Sequence, residues 1–108
     1  MKRILDNKLL EKYIDKYDIK GTFDKDMINL MELHYYKKGE AVFKAETTLE
    51  YYYLLVSGKI RISYPFENGK SMLLKFYKPF NTIGDMELLK NKPITCDIDA
   101  VEDTYLIA

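Results

Sequence analysis

The stretch YYYLLVSGKIRISYPFENGKSMLLKFY, residues 51–77, decides the fold. It opens on the longest run of aromatic and aliphatic residues in the chain, a composition that suits strands. Ser57-Gly58 breaks that run. Ile60, Ile62 and Tyr64 then alternate with Lys59, Arg61 and Ser63, the period of a half-buried strand. Asn68-Gly69 predicts a tight hairpin of type I′, in which both central residues take positive φ. SMLLKFY, residues 71–77, reads as the return strand.

Outward from this core the same texture continues. HYYKKGEAVF, residues 34–43, predicts two short strands around a turn at Gly39. TCDIDAVEDTYLIA, residues 95–108, predicts two more, with Cys96, Ile98 and Ala100 on one face and Asp97 and Asp99 on the other. Only the first 31 residues carry a helical period. Ile4, Leu5, Leu9, Leu10, Tyr13, Ile14 and Tyr17 predict an amphipathic helix over 3–18, with Gly21 as its C-terminal cap. A second helix is expected over 24–31, capped by Thr22 or Asp24. Many short strands with frequent turns point to an antiparallel β-roll or jelly roll. One domain is expected, with helices over 1–31 and the roll over 32–108. Ala108 falls inside a strand-like segment, so a longer protein, or a following helix to cover an edge, is expected.

Composition narrows the function. The chain is 47% hydrophobic with 10 Tyr and 5 Phe, enough to form a core. Its 17 basic residues balance 17 acidic ones, so an intrinsic nucleic-acid interface is not expected. The one cysteine, Cys96, leaves no internal disulfide and no iron–sulfur or Cys-rich metal site. That usage fits a reducing cytoplasm. No signal peptide or membrane-length apolar run is present. His34, the single histidine, reads as a packed or surface imidazole, and one histidine cannot build a cupin-type metal site. No G-x-S-x-G, H-E-x-x-H or Walker A pattern occurs. A catalytic or metal site is therefore not expected.

PFNTIGDMELLKNKPITCDIDA, residues 79–100, holds the candidate ligand site. Gly84 allows close backbone approach. The peptide N–H groups of Asp85, Met86, Glu87 and Leu88 open a short apolar helix, a place where anions gather. Local chemistry alone favours a plainer role, with Gly84 turning the chain and Asp85 capping the helix.

YYKKGEAVF, YYYLLVSGKIRISY, NGK and IGDMELL…PITCDIDA stand in the order and spacing of the cyclic-nucleotide-binding domain. The chain resembles the N-terminal sensor domain of bacterial cyclic-AMP-receptor/Fnr-type (Crp/Fnr) transcription regulators over about residues 30–108. The resemblance implies an eight-stranded β-roll with a phosphate-binding cassette between strands six and seven. It further implies a cytoplasmic sensor, not an enzyme, that answers a small-molecule effector. DNA contact and homodimerisation would come through a dimerisation helix and a helix-turn-helix domain beyond these residues.

In ligand-binding members the cassette starts Gly-Glu and ends Arg-Ser or Arg-Thr. The glutamate holds the ribose hydroxyl and the arginine pairs with the cyclic phosphate. Here Gly84 matches the glycine, Asp85 is one methylene shorter than the glutamate, Ile94 replaces the arginine, and Thr95 matches the hydroxyl. The arginine's charge-assisted, bidentate contact is lost. That costs about 1.5–3 kcal/mol per charged hydrogen bond, about 10- to 100-fold in affinity. Cyclic AMP is expected to bind weakly or not at all, and no cofactor is expected. Two further departures are Glu46, where a turn glycine is common, and Phe80, which could fill part of the pocket. A ligand-free scaffold or protein-interaction domain is the alternative reading, using the run Tyr51–Val56 and the apolar face of the first helix.

Overall fold

The computed structural model describes residues 1–47, 53–83 and 96–108. Among them the chain forms nine strands and two α-helices: β1 (Lys2–Ile4), α1 (Asn7–Lys16), α2 (Lys25–Asn29), β2 (Leu33–Tyr36), β3 (Ala41–Phe43), β4 (Tyr53–Ser57), β5 (Ile60–Pro65), β6 (Ser71–Tyr77), β7 (Asn81–Ile83), β8 (Asp97–Ala100) and β9 (Thr104–Ile107). All the strand pairs are antiparallel. They form one sheet in the order β1-β2-β9-β4-β7 and a second in the order β3-β8-β5-β6. This is the mainly β roll that the sequence predicts.

Local chemistry sets the helix boundaries. The expected helix over 3–18 begins only at Asn7. Asp6 holds extended backbone, and its carboxylate accepts N–H bonds from Lys8 (3.0 Å) and Leu9 (3.1 Å), which caps α1. Residues 2–4 instead pair with β2 as an edge strand, a long-range contact that helical spacing cannot reveal. At the other end Tyr17 caps α1, and Asp18 takes the left-handed conformation (φ 50°). Gly21 is therefore not the cap; it ends a short 3-10 turn, Ile19–Gly21. Helix α2 starts as expected, with the Asp24 carboxylate accepting the Met27 N–H at 2.8 Å.

Each face of the first sheet has its own core. Between the sheets lie Tyr36, Val42, Tyr53, Leu55, Ile60, Ile83, Ile98, Ala100 and Leu106. Under the helices lie Tyr13, Ile14, Ile19, Leu33, Leu54, Val56 and Ile107. Strand β4 serves both: Tyr53 and Leu55 face inward, Leu54 and Val56 face the helices. Double burial explains its continuous apolar sequence. It also overturns the idea of a partner surface along Tyr51–Val56. Tyr53 to Val56 are core, Tyr51 and Tyr52 lie outside the described residues, and Tyr13 and Ile14 on α1 are buried against the sheet. Strand β9 is not an edge either, since β2 and β4 flank it.

The turns are as informative as the strands. Gly39, Gly58 and Gly69 all carry positive φ. The hairpin at Asn68-Gly69 forms, but not as type I′. Asn68 is not among the positive-φ residues; the Phe66 carbonyl accepts from Gly69 N–H (3.1 Å), Phe66 N–H donates to the Lys70 carbonyl (2.8 Å), and the Asn68 carboxamide oxygen accepts from Lys70 N–H (3.0 Å). This is the three-residue loop with a left-handed glycine at its end. A slip of register between Ile62 and Ser63 then spoils the expected alternation. Ser63 is buried and Tyr64 exposed, its ring edge-on to Phe66 at 5.6 Å.

Gly58 sits where a β-carbon would lie 2.5 Å from Thr104 Oγ1 and 2.7 Å from Thr104 Cα, and its φ is +94°. Gly58→Ala is expected to lower the urea-unfolding free energy by about 2–4 kcal/mol, combining overpacking with backbone strain. Glu46, at the position where the resemblance expects glycine, takes φ 73°. Glu46→Gly should leave stability unchanged within about 0.5 kcal/mol, while β-branched Glu46→Val should cost about 1–2 kcal/mol in the same assay.

Candidate functional site

Gly84, Asp85, Met86, Glu87, Ile94 and Thr95, the sequence-predicted site, lie outside the described residues. What the fold does define is their frame. The segment 84–95 leaves β7, the edge of the first sheet, and returns in β8, inside the second sheet between β3 and β5. With β1 set aside as an addition at the edge, β7 and β8 are the sixth and seventh of the eight remaining strands among the described residues.

Both ends of this frame are anchored. Ile83 is buried and pairs with Tyr53 across the sheet. At the far end the Asp97 carboxylate accepts the Ala45 N–H at 2.8 Å, tying the start of β8 to the chain after β3. Inside the roll, Tyr53 lies against Phe43, ring centroids 4.8 Å apart, with Ile62, Tyr77 and Tyr36 in the same core. Burial pushes the Tyr36 phenol up to about 12, with smaller contributions from Tyr53 and Glu40, so it is a neutral donor at physiological pH. Among the described residues, the core that Ile83 joins is aromatic and aliphatic.

Gly39-Glu40, one of the motifs behind the resemblance, has a structural task. Gly39 N–H donates to the Ala100 carbonyl (2.7 Å), and Ala100 N–H donates to the Glu40 carbonyl (2.9 Å). The Glu40 carboxylate accepts from Lys37 N–H at 3.1 Å and pairs with the Met1 ammonium. Those two contacts, the ammonium first, hold its carboxyl below the usual carboxylate range. The Asp103 carboxylate accepts Lys38 N–H at 2.9 Å, fastening the β8–β9 turn to the β2–β3 turn.

Of the clefts lined by described residues, all away from this frame, two bear on ligand chemistry. One, about 240 Å³, is lined by Phe23, Met27, Leu30, Met31, Leu54, Ile107 and Ala108 on the helix side of the first sheet. Its wholly apolar side chains offer nothing to a phosphate. The other, about 320 Å³, runs over Lys38, Gly39, Arg61, Asp99, Ala100 and Val101. Arg61 is already engaged there by Asp99, its cross-strand neighbour, at 3.6 Å. Among the described residues no group of three His, Cys, Asp or Glu could hold a metal ion.

The position of Phe80 was not legible in the sequence. Its ring stacks on Tyr17 of the α1 C-terminus, 4.9 Å between centroids and 23° between planes. Tyr17 in turn donates its hydroxyl to the Val56 carbonyl at 3.1 Å. Phe80 thus packs against the helical layer rather than filling a pocket inside the roll.

This frame is that of a known domain. The family model of the cyclic nucleotide-binding domain matches residues 33–108. The chain belongs to that family. Among solved structures it is similar to a transcriptional regulator from Thermotoga maritima, with a TM-score of 0.70 at 20% identity over 77% of this chain and 65% of that one. It is similar to the catabolite activator protein of Thermus thermophilus, with a TM-score of 0.67 at 25% identity over 82% of this chain and 44% of that one. The regulatory subunit of a cAMP-independent protein kinase A from Trypanosoma brucei gives 0.73 at 12% identity, over 89% of this chain and 37% of that one. The chain therefore spans less than two thirds of each of these three proteins. Among curated proteins no sequence matches it. No helix among the described residues is long and apolar enough to cross a membrane.

If Phe80 belongs to the helical layer, a double-mutant cycle of Tyr17→Leu and Phe80→Leu should give a coupling energy of about 0.5–1.5 kcal/mol in chemical unfolding. Strict additivity would show that the two rings do not stack in solution.

Proposed function

We propose that this chain is the effector-sensing domain of a Crp/Fnr-type transcription regulator whose cassette binds cyclic AMP weakly or not at all. One observation carries the second half of that statement. The family's arginine position is Ile94, so the stretch between β7 and β8 lacks the guanidinium that would pair with a cyclic phosphate. Gly84 and Thr95 keep the backbone approach and the hydroxyl, Asp85 keeps an acceptor, and Met86 and Glu87 keep the opening N–H groups. The segment's own lysines, Lys90 and Lys92, are read as solvated rather than as substitutes for it.

Membership of the family and likeness to two transcription regulators support the sensor role. The Trypanosoma structure supports the rest of the reading, because this roll occurs in a protein described as cAMP-independent. In this reading the module is not an enzyme. It senses a small effector and contributes to a homodimer, while DNA contact is made by a domain beyond these residues. Equal numbers of acidic and basic residues agree with that division. Effector occupancy would act by favouring one dimer geometry over another.

Calorimetric titration with cyclic AMP is expected to show no binding at micromolar concentrations. Ile94→Arg should improve affinity about 10- to 100-fold by restoring the charge-assisted contact. Micromolar affinity in the wild-type chain would overturn the proposal.

A further inference from the structure

His34 is the single histidine, and the fold buries it: the residue is 6% exposed. Nδ1 is buried with no hydrogen-bond partner among the described residues. A buried polar atom without a partner is costly and calls for an explanation. Most of what the described residues place around the ring disfavours an added proton. Across β1 its direct neighbour is Arg3. Across β9 it is apolar Leu106. From β4 comes Tyr53, whose ring lies 6.3 Å away. Two residues along β2 stands Tyr36, whose phenol stays neutral.

Among the described residues Glu32 is the carboxylate that favours the charged imidazole, and it is already committed to Arg3, Oε1 to Nε at 2.8 Å. Burial, then Arg3 and the N-terminal ammonium, outweigh it and hold the imidazole below its ordinary value of 6.5. Strand β1, which carries Arg3 and directly follows the Met1 ammonium, is three residues long and borders only β2. Its ends are fastened by Arg3 to Glu32 and by the Met1 ammonium to Glu40.

We propose that His34 is a proton-operated latch for strand β1, closed while the imidazole is neutral and released when it is protonated. An imidazolium at this position faces Arg3 directly and draws Glu32 away from it. Departure of β1 removes both opposing cations and lets water reach the ring. The sign follows from linkage. The imidazole's value is lowered while the latch is closed, so the open form binds more protons. Opening therefore becomes easier as pH falls below 6.5, by up to about tenfold per pH unit, until the closed form itself titrates. An open latch exposes the edge of β2, whose free N–H and C=O groups can accept another strand.

Amide exchange by NMR on the whole 108-residue chain, corrected for intrinsic rates, tests this between pH 5 and 7.5. Protection of the β1 amides that donate to β2 is expected to fall about fivefold between pH 6.5 and 5.5, while Leu55 and Leu106 keep theirs. His34→Leu should flatten the profile, and Arg3→Gln should make it shallower. A flat wild-type profile, a parallel loss at Leu55 and Leu106, or an undiminished slope in His34→Leu would each overturn the latch. Should His34→Leu fail to fold, direct NMR titration of the wild-type ring decides: a midpoint below 6.5 supports the latch and one at or above 6.5 refutes it.

Discussion

The structure depends on one pairing, that of β4 with β9. Leu54 lies opposite Ile107 and Leu55 opposite Leu106. The first pair faces the helices and the second faces the interior of the roll, and all four residues are at most 2% exposed. Burying both faces of two neighbouring strands joins the helical layer, the first sheet and the second sheet through one ladder. Each such side chain contributes about 1.5–3 kcal/mol on transfer from water. The ladder's hydrogen bonds are shielded on both sides, so a one-residue slip would exchange every inward side chain for an outward one.

That constraint decides what the sequence reveals. Doubly buried strands must be largely apolar, so β4 stands out as a continuous run, while β8 shows its buried face in alternation. Glycine positions are legible wherever geometry leaves no alternative, as at Gly39, Gly58 and Gly69. Features set by distant partners are not legible. Ile4 and Leu5 fit a helical period, yet Asp6 caps the helix after them and β2 claims residues 2–4. Asn68-Gly69 correctly announces a hairpin, but the loop it makes is set by the Phe66–Lys70 contact outside the dipeptide. Glu46 is the opposite case: its left-handed backbone is just what its place in the family pattern implies.

The site divides in the same way. The candidate site's place between the sixth and seventh strands is what the family resemblance implies; the fold puts β7 at the edge of one sheet and β8 inside the other. The chemistry of its residues is read from sequence, since Gly84, Asp85, Met86, Glu87, Ile94 and Thr95 lie outside the described residues. Phe80 shows the limit of such reading. Nothing in its neighbourhood names Tyr17 as its partner, because the contact joins residues that are far apart in sequence.

A roll held by its own doubly buried ladder does not need a nucleotide to be complete. Thermal unfolding with and without millimolar cyclic AMP or cyclic GMP tests this most directly. The account predicts coincident transitions. A ligand at about a hundred times its Kd would add about 2.7 kcal/mol, raising Tm by about 10 °C for a domain of this size. A shift of that magnitude would contradict it.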